Sequence, residues 1–269
     1  MHKKWFILPV GLIVLAGCTP ADRTPIDETS KSANEQNTSS ETSEQKEEKT
    51  DTLTKEEIAH LELLESLPED ANSKDWNLIL VNNWKPLPDD FEPNLVEVEP
   101  DKEIDARIVE PFEEWISAGL EADHRLFFAS GYRSVERQQN NYDNSISKFK
   151  QEGYTEEEAI AKTEEYIAIP KRSEHHTGLA VDIVDQQWIA DGNSLTPDYD
   201  TQESQHWLLE TMTDYGFILR YPEGAEALTD INYESWHFRY VGKENAQFIE
   251  EHELVLEEFI ELLEERENL

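Results

Sequence analysis

The chain has 269 residues, 37% of them hydrophobic, which is enough for one domain with a packed core and additional segments. It carries 60 acidic and 23 basic residues, a formal net charge of −37 at pH 7, which argues strongly against nucleic acid as a partner. Because the chain has only one cysteine, an intramolecular disulfide is excluded.

The first 17 residues have the pattern of a secretory signal peptide. A basic stretch at residues 2–4 is followed by an apolar run, Trp5–Ala16, that is too short to span a bilayer well. The run leads into Leu15-Ala16-Gly17-Cys18, which resembles the lipobox of bacterial lipoproteins. We therefore predict a lipid on Cys18 that anchors the protein to the extracellular face of the bacterial cell membrane. The alternative is that Cys18 is a buried free thiol.

Two segments are predicted to precede the main domain. Residues 18–53 are polar and acidic with hardly an apolar side chain, so they cannot bury enough surface to offset the entropy of ordering and are predicted to be a disordered tether. Residues 54–75 are predicted to form a short helix and a connection, because Thr54-Lys55-Glu56-Glu57 has the form of a capping box and Pro68 ends the helix. The main domain is predicted over 76–269.

Within this domain, apolar segments of helical or strand period alternate with turn-forming residues. A proline-rich stretch, 86–93, is predicted to be extended chain that wraps the core. The predicted elements are a helix Ile104–Leu120, a strand Leu126–Ala129, a helix from Ser134 to about Lys150, a helix opening at Thr155, a strand Leu179–Val184, a helix Glu203–Tyr215, strands Phe217–Tyr221 and Trp236–Tyr240, and a helical tail Lys243–Asn268. This pattern predicts an α+β fold, in which a small antiparallel sheet has helices packed around it.

The segment His175–Asp182 places an aspartate inside an otherwise apolar strand. A buried carboxylate is costly unless it is paired or bound to a metal, and zinc accepts both imidazole nitrogen and carboxylate oxygen. His175 and Asp182 are therefore candidate zinc ligands. The alternative is an aspartate at an exposed strand edge with a histidine that faces solvent.

The segment Glu234–Tyr240 offers a third ligand. Strand alternation predicts that Trp236, Phe238 and Tyr240 face the core, which leaves His237 and Arg239 on the other face and points His237 toward a cleft. A regular strand would turn Glu234 away from His237, so the chain must bend or bulge near Ser235 if both side chains share a site. This bend is a structural prediction.

Two histidines and one aspartate leave the fourth position of a tetrahedral zinc open, which is typical of a catalytic site. Glu234 is then the candidate general base, which takes a proton from water and passes it to the leaving amine. The alternative is a buried polar network that holds no metal.

Two motifs carry a family resemblance. Residues 173–182 match the pattern SxHxxGxAxD and residues 234–237 match ExWH, in the order and approximate spacing of the D-alanyl-D-alanine carboxypeptidases. The chain resembles the VanY-like branch of these zinc peptidases, whose fold is shared with lysostaphin-type endopeptidases and the hedgehog signalling domain. The resemblance implies one zinc ion per chain, in a cleft on the sheet.

The resemblance also implies roles for further residues and a substrate. Arg133 would stabilise the negatively charged tetrahedral intermediate, and Ser173 and Gln138 would lie at the substrate-binding groove. The implied activity is removal of the terminal D-Ala from the stem peptides of peptidoglycan. L,D-carboxypeptidase activity on tetrapeptide stems, endopeptidase activity on cross-links and a non-catalytic, zinc-containing wall-binding module remain as alternatives.

Overall fold

The computed structural model describes residues 53–269, so the predicted signal peptide, Cys18 and almost all of the predicted tether lie outside the described residues. Within 53–269, no helix is both long and apolar enough to cross a membrane. The helices and strands in chain order are α1 Lys55–Ser66, β1 Leu95–Glu99, β2 Lys102–Asp105, α2 Val109–Glu121, β3 Leu126–Ser130, α3 Val135–Gln151, α4 Glu156–Glu164, β4 Ala180–Asp185, α5 Gln186–Ala190, α6 Glu203–Thr211, β5 Phe217–Leu219, α7 Glu226–Thr229, β6 His237–Tyr240, α8 Lys243–Glu251 and α9 Leu256–Glu267.

The central sheet has four strands in the order β3-β4-β6-β5, and all neighbouring strands are antiparallel. Its register pairs Asp182 of β4 with Ser130 on one side and with His237 on the other. A second sheet consists of the hairpin β1–β2. The predicted α+β class, with a small antiparallel sheet and helices around it, is confirmed.

One face of the central sheet packs against α2. The ring of Trp115, fully buried on α2, stacks on Phe217 at 5.0 Å between centroids and meets Phe238 edge-on at 5.1 Å. Because side chains alternate along β6, the burial of Phe238 in this core turns His237 and Arg239 to the opposite face. The apolar face thereby fixes which side of the sheet carries the polar residues.

A second apolar cluster joins the two ends of the described chain. Leu64 and Leu67, in and just after α1, share this cluster with Phe259 and Leu263 of α9. Arg266 strengthens the junction by donating hydrogen bonds to backbone carbonyls of the connection after α1, including that of Pro68 at 2.9 Å. The N-terminal helix therefore packs against the C-terminal one.

Several predicted elements differ from the structure. The helix predicted from Ile104 begins at Val109, because Ile104 belongs to β2 of a hairpin that was not predicted. The predicted helical tail is two helices, α8 and α9, separated where Glu253 adopts a positive φ of 53°. The predicted helix Glu203–Tyr215 ends as a 3-10 turn over its last four residues. These differences leave the central sheet as predicted apart from its strand ends.

Candidate metal centre and active site

Strand register brings two of the predicted ligands together. Asp182 of β4 and His237 of β6 are direct partners in the antiparallel ladder, on the face of the sheet opposite Trp115. Nδ1 of His237 lies 3.1 Å from Oδ1 of Asp182, and both side chains are almost completely buried. The pairing of the two strands thus brings together two of the three candidate ligands.

His175 reaches the same point from a 3-10 turn, Glu174–Thr177, that leads into β4. The turn ends at Gly178 with φ 74°, where a Cβ atom would lie 2.9 Å from the backbone nitrogen of Asp105. Nδ1 of His175 donates to the carbonyl of Gly131 at 2.7 Å, which leaves the lone pair on Nε2 directed at the site. That Nε2 lies 3.3 Å from Oδ2 of Asp182.

The three side chains fit a zinc ion. One ligand atom from each lies within 4.8 Å of the others, and all three residues are buried. Ligand atoms at about 2.0–2.1 Å from a tetrahedral zinc stand roughly 3.3 Å apart. Nδ1 of His237 lies 3.1 Å from Oδ1 of Asp182, and Nε2 of His175 lies 3.3 Å from Oδ2, the other oxygen of the same carboxylate. Oδ1 of Asp182 is also buried without a hydrogen-bond partner among the described residues, as expected of a metal ligand.

The electrostatics of the site favour a cation. Although burial by itself would raise the pKa of Asp182, the two histidines hold the pKa of this carboxyl well below its usual range. Burial would lower the pKa of His237, yet the neighbouring carboxylates of Asp182 and Glu174 raise it to about 9. Carboxylates of three residues lie within 3.7 Å of His237, and this concentration of negative charge suits a dication.

Glu234 reaches the site through a backbone turn. The amide of His237 donates to the carbonyl of Glu234 at 3.3 Å, and the amide of Glu234 donates to the carbonyl of Tyr221 at 3.1 Å. Oε2 of Glu234 lies 3.4 Å from Nδ1 of His237. The predicted bend near Ser235 is confirmed. Burial raises the pKa of the Glu234 carboxyl to about 8.

Arg133 follows β3 and is held from both ends. Its backbone amide donates to the carbonyl of His175 at 3.0 Å, and its guanidinium donates to Oε1 of Gln138 at 2.8 Å and to the hydroxyl of Ser130 at 3.2 Å. One guanidinium nitrogen lies 3.8 Å from Oδ2 of Asp182. Burial lowers the pKa of Arg133, but an arginine remains charged at neutral pH.

Gln138 and Ser173 both line the cavity in front of the metal centre, although both are buried. The amide of Gln138 is used at both ends, because its nitrogen donates to the carbonyl of Ala168 at 2.6 Å while its oxygen accepts from Arg133. Gln138 therefore fixes the arginine and the loop that carries Ala168. Nδ1 of His176 donates to the carbonyl of Arg133 at 2.6 Å and so supports the same arginine.

The metal centre opens into a cavity of about 660 Å³. One part of its wall is formed by the three candidate metal ligands together with Arg133 and Glu234. The remainder combines amide side chains with apolar and aromatic ones, which are Asn141, Asn144, Tyr166, Ile167, Leu195, Pro197, Tyr221, Ile231 and Trp236. A cleft of this size, with convergent polar groups at one end and apolar walls, is typical of a small-molecule or peptide site.

Sequence reasoning missed a buried ionic network behind the metal centre. Glu174 lies under His237 and accepts hydrogen bonds from Arg220 at 2.8 Å and from Arg239 at 2.7 Å. All three side chains are fully buried. Arg239 was predicted to lie on the same face as His237, which is correct, but its carboxylate partner comes from a distant segment.

The comparisons with known proteins agree with this geometry. Residues 101–243 match the family model described as VanY, D-alanyl-D-alanine carboxypeptidase. A D-alanyl-D-alanine carboxypeptidase of Enterococcus faecalis is 36% identical over 197 residues, which cover 73% of this chain and 70% of the relative.

Two solved structures are similar in fold and sequence. A mutant of the vancomycin resistance D,D-pentapeptidase VanY, in complex with Zn(II), aligns with a TM-score of 0.62 and 37% identity over 69% of this chain and 99% of its own. The L,D-carboxypeptidase LdcB aligns with a TM-score of 0.59 and 33% identity over 70% of this chain and 87% of its own. Sequence, fold and the His–Asp–His cluster agree, and the chain belongs to the VanY family of D-alanyl-D-alanine carboxypeptidases.

Proposed function

We propose that this protein is a zinc-dependent D-alanyl-D-alanine carboxypeptidase that hydrolyses the terminal D-Ala of peptidoglycan stem peptides. The observation that carries the proposal is the convergence of a His–Asp–His cluster, a buried glutamate and a fixed arginine at one end of a 660 Å³ cavity. Metal binding alone requires neither Glu234 nor Arg133, and their presence argues for an enzyme over a non-catalytic wall-binding module.

His175, Asp182 and His237 would hold the zinc. When bound, the ion would polarise the scissile carbonyl and lower the pKa of a water molecule into the neutral range. The hydrogen bond from Nδ1 of His175 to Gly131 keeps the other ring nitrogen free for this purpose. The cluster thus supplies ligands with fixed tautomer and orientation.

Glu234 and Arg133 would act on the reacting atoms. Glu234 is buried beside His237, 3.4 Å from its Nδ1, where its carboxylate can take a proton from water and return it to the leaving amine. Arg133 presents a guanidinium held by two side chains, and this fixed cation can stabilise the oxyanion that develops on the carbonyl. Ser173 and Gln138 border the groove, with Gln138 holding Arg133 in place.

The proposal is tested by supplying zinc and a synthetic pentapeptide that ends in D-Ala-D-Ala, and measuring free D-alanine. The wild-type protein should release D-alanine. Glu234→Gln should still bind zinc but should release D-alanine about 10²–10⁴ times more slowly. Absence of D-alanine from the wild type, or equal release by Glu234→Gln, would refute the enzyme proposal.

The similarity to an L,D-carboxypeptidase structure supports a second candidate, cleavage of the terminal D-Ala of tetrapeptide stems. The two activities differ in whether the residue before the scissile bond has D or L configuration. Mass spectrometry of the products from tetrapeptide and pentapeptide stems, offered side by side at equal concentration, distinguishes them. Products that retain the terminal D-Ala but are shortened elsewhere would instead indicate an endopeptidase.

We also propose that the protein is a lipoprotein on the extracellular face of the bacterial cell membrane. The support is the sequence alone, in which Cys18 follows an apolar signal-like run and small residues. In cells, the wild type should incorporate labelled fatty acid and sediment with membranes, and Cys18→Ser should lose the label. Equal labelling of the two proteins would refute the anchor.

A further inference from the structure

Two buried polar atoms face each other behind the metal centre. Nε2 of His237, the ring nitrogen that points away from Asp182, lies 3.7 Å from Oε2 of Glu174. Among the described residues, neither atom has a hydrogen-bond partner. The distance is about 0.8 Å longer than the N···O distance of an ordinary hydrogen bond. A buried donor or acceptor left unpaired is costly, so forming this hydrogen bond would be favourable.

We propose that Glu174 is a positioning residue for the zinc ligand His237. A carboxylate that accepts from Nε2–H keeps the proton on that nitrogen and leaves the lone pair of Nδ1 directed at the metal. It also fixes the rotation of the imidazole ring. The inference rests on the proposed role of His237 as a ligand, and it gives Glu174 no contact with substrate.

Glu174 is itself locked in place. Its Oε1 accepts from Nε of Arg220 and from a guanidinium nitrogen of Arg239, which leaves Oε2 free to face His237. Two guanidinium groups donate to this one carboxylate, so its negative charge is paired with positive charge at hydrogen-bonding distance. Arg239 is anchored in turn by the backbone carbonyl of Ile79 at 2.8 Å.

The hydrogen-bond network around Glu174 extends to the C-terminal helix, α9. Arg220 donates two hydrogen bonds to Glu257 in the first turn of α9, at 2.9 and 2.6 Å, and the amide of Asn82 donates to the same carboxylate at 3.0 Å. Glu257 and Asn82 lie outside the 101–243 region that matches the family model. Segments on both sides of that region therefore converge on Arg220, and through it on Glu174 and His237.

Charge balance explains why the network has four members. Two glutamates and two arginines, all buried, sum to zero, so the carboxylate under His237 adds no net charge beside the zinc. Replacing Glu174 with glutamine would leave an excess positive charge under the ligand and weaken the acceptor for Nε2–H. Both changes oppose the binding of a dication.

The test is the zinc dissociation constant, measured by chelator competition without substrate. Glu174→Gln should raise it about 10- to 100-fold, as loss of a hydrogen-bond partner of a metal ligand typically does. Glu257→Gln should raise it by a smaller factor, because it acts through Arg220. Arg266→Gln is the matched control on the same helix, since it loses bonds to the connection after α1 and should leave zinc affinity unchanged.

An unchanged zinc dissociation constant in folded Glu174→Gln would overturn the proposal. If Glu174→Gln does not fold, Glu257→Gln decides, and an affinity equal to that of Arg266→Gln would overturn it. Nitrogen-15 NMR of the zinc-loaded wild type should show the proton of His237 on Nε2, and a proton on Nδ1 would also refute the idea. These measurements involve no peptide, so they stay informative if the wild type releases no D-alanine and the proposed function fails.

Discussion

The substitution Arg133→Lys tests whether Arg133 acts in catalysis or only completes a buried ion pair. The charge is kept, but lysine has a single flexible ammonium group in place of the planar guanidinium. In the structure, the guanidinium donates to Gln138 and to Ser130, at 2.8 and 3.2 Å, while one nitrogen stands 3.8 Å from Asp182. One ammonium group cannot maintain these separate contacts, so the cation would lose its fixed position.

The expected loss is that of one preorganised donor to a developing oxyanion. Such a loss lowers kcat by about 10²–10³, or roughly 2.7–4 kcal/mol in the activation barrier. KM should change much less, because the interaction is made mainly in the transition state. Zinc affinity should remain close to that of the wild type, since Arg133 is not a ligand.

The assay is steady-state release of D-alanine from the pentapeptide, with zinc content measured on the same samples. Arg137→Lys is the matched control, because Arg137 is an exposed arginine on α3, close in sequence to Arg133. If kcat of Arg133→Lys stays within about threefold of the wild type, a barrier change below about 0.7 kcal/mol, the oxyanion role of Arg133 is refuted. If zinc is lost instead, its role is to hold the metal centre.

Three further predictions concern stability and metal. Urea titrations should show that removing zinc with a chelator lowers the free energy of unfolding, by about 2.7 kcal/mol relative to protein in zinc at 100 times the dissociation constant. In Asp182→Asn, the difference between the samples with and without zinc should be much smaller. Trp115→Ala, in the core of the sheet, should cost about 3–5 kcal/mol in the same assay; a loss below about 1 kcal/mol would contradict the packing described. Gly178→Ala should lower the free energy of unfolding by about 1–2 kcal/mol, because residue 178 has a left-handed backbone. It should also weaken zinc binding, because the added Cβ would press on the backbone of Asp105. Unchanged zinc affinity would show that the turn adapts.

The metal ligands were predictable because their signals are local or follow from strand geometry. His175 and Asp182 are joined by a short turn and a strand, and an aspartate between apolar strand residues demands a partner. His237 was placed by alternation against Phe238, which the structure buries in the core. The bend at Glu234 followed from requiring two residues of one strand to share a site.

Other elements gave weaker signals. The strands of the hairpin β1–β2 have only five and four residues, so the alternation of apolar and polar side chains along each is too short to mark a strand clearly. Its turn contains Asp101 at a positive φ of 62°, a position that a glycine would have marked more plainly. The break between α8 and α9 is similar, because Glu253 adopts a positive φ where no glycine or proline interrupts the helical pattern.

The ionic network behind His237 could not be predicted from the sequence, for a different reason. Arg239 stands in a buried strand and was bound to need an acidic partner, but a chain with 60 acidic residues offers too many candidates for the sequence to select one. The partner, Glu174, occupies a variable position of the first motif, directly before the ligand His175. Only the antiparallel pairing of β4 and β6 brings that turn over Arg239. The same pairing that assembles the metal site therefore assembles its support, and both should fail together if the register of these two strands is disturbed.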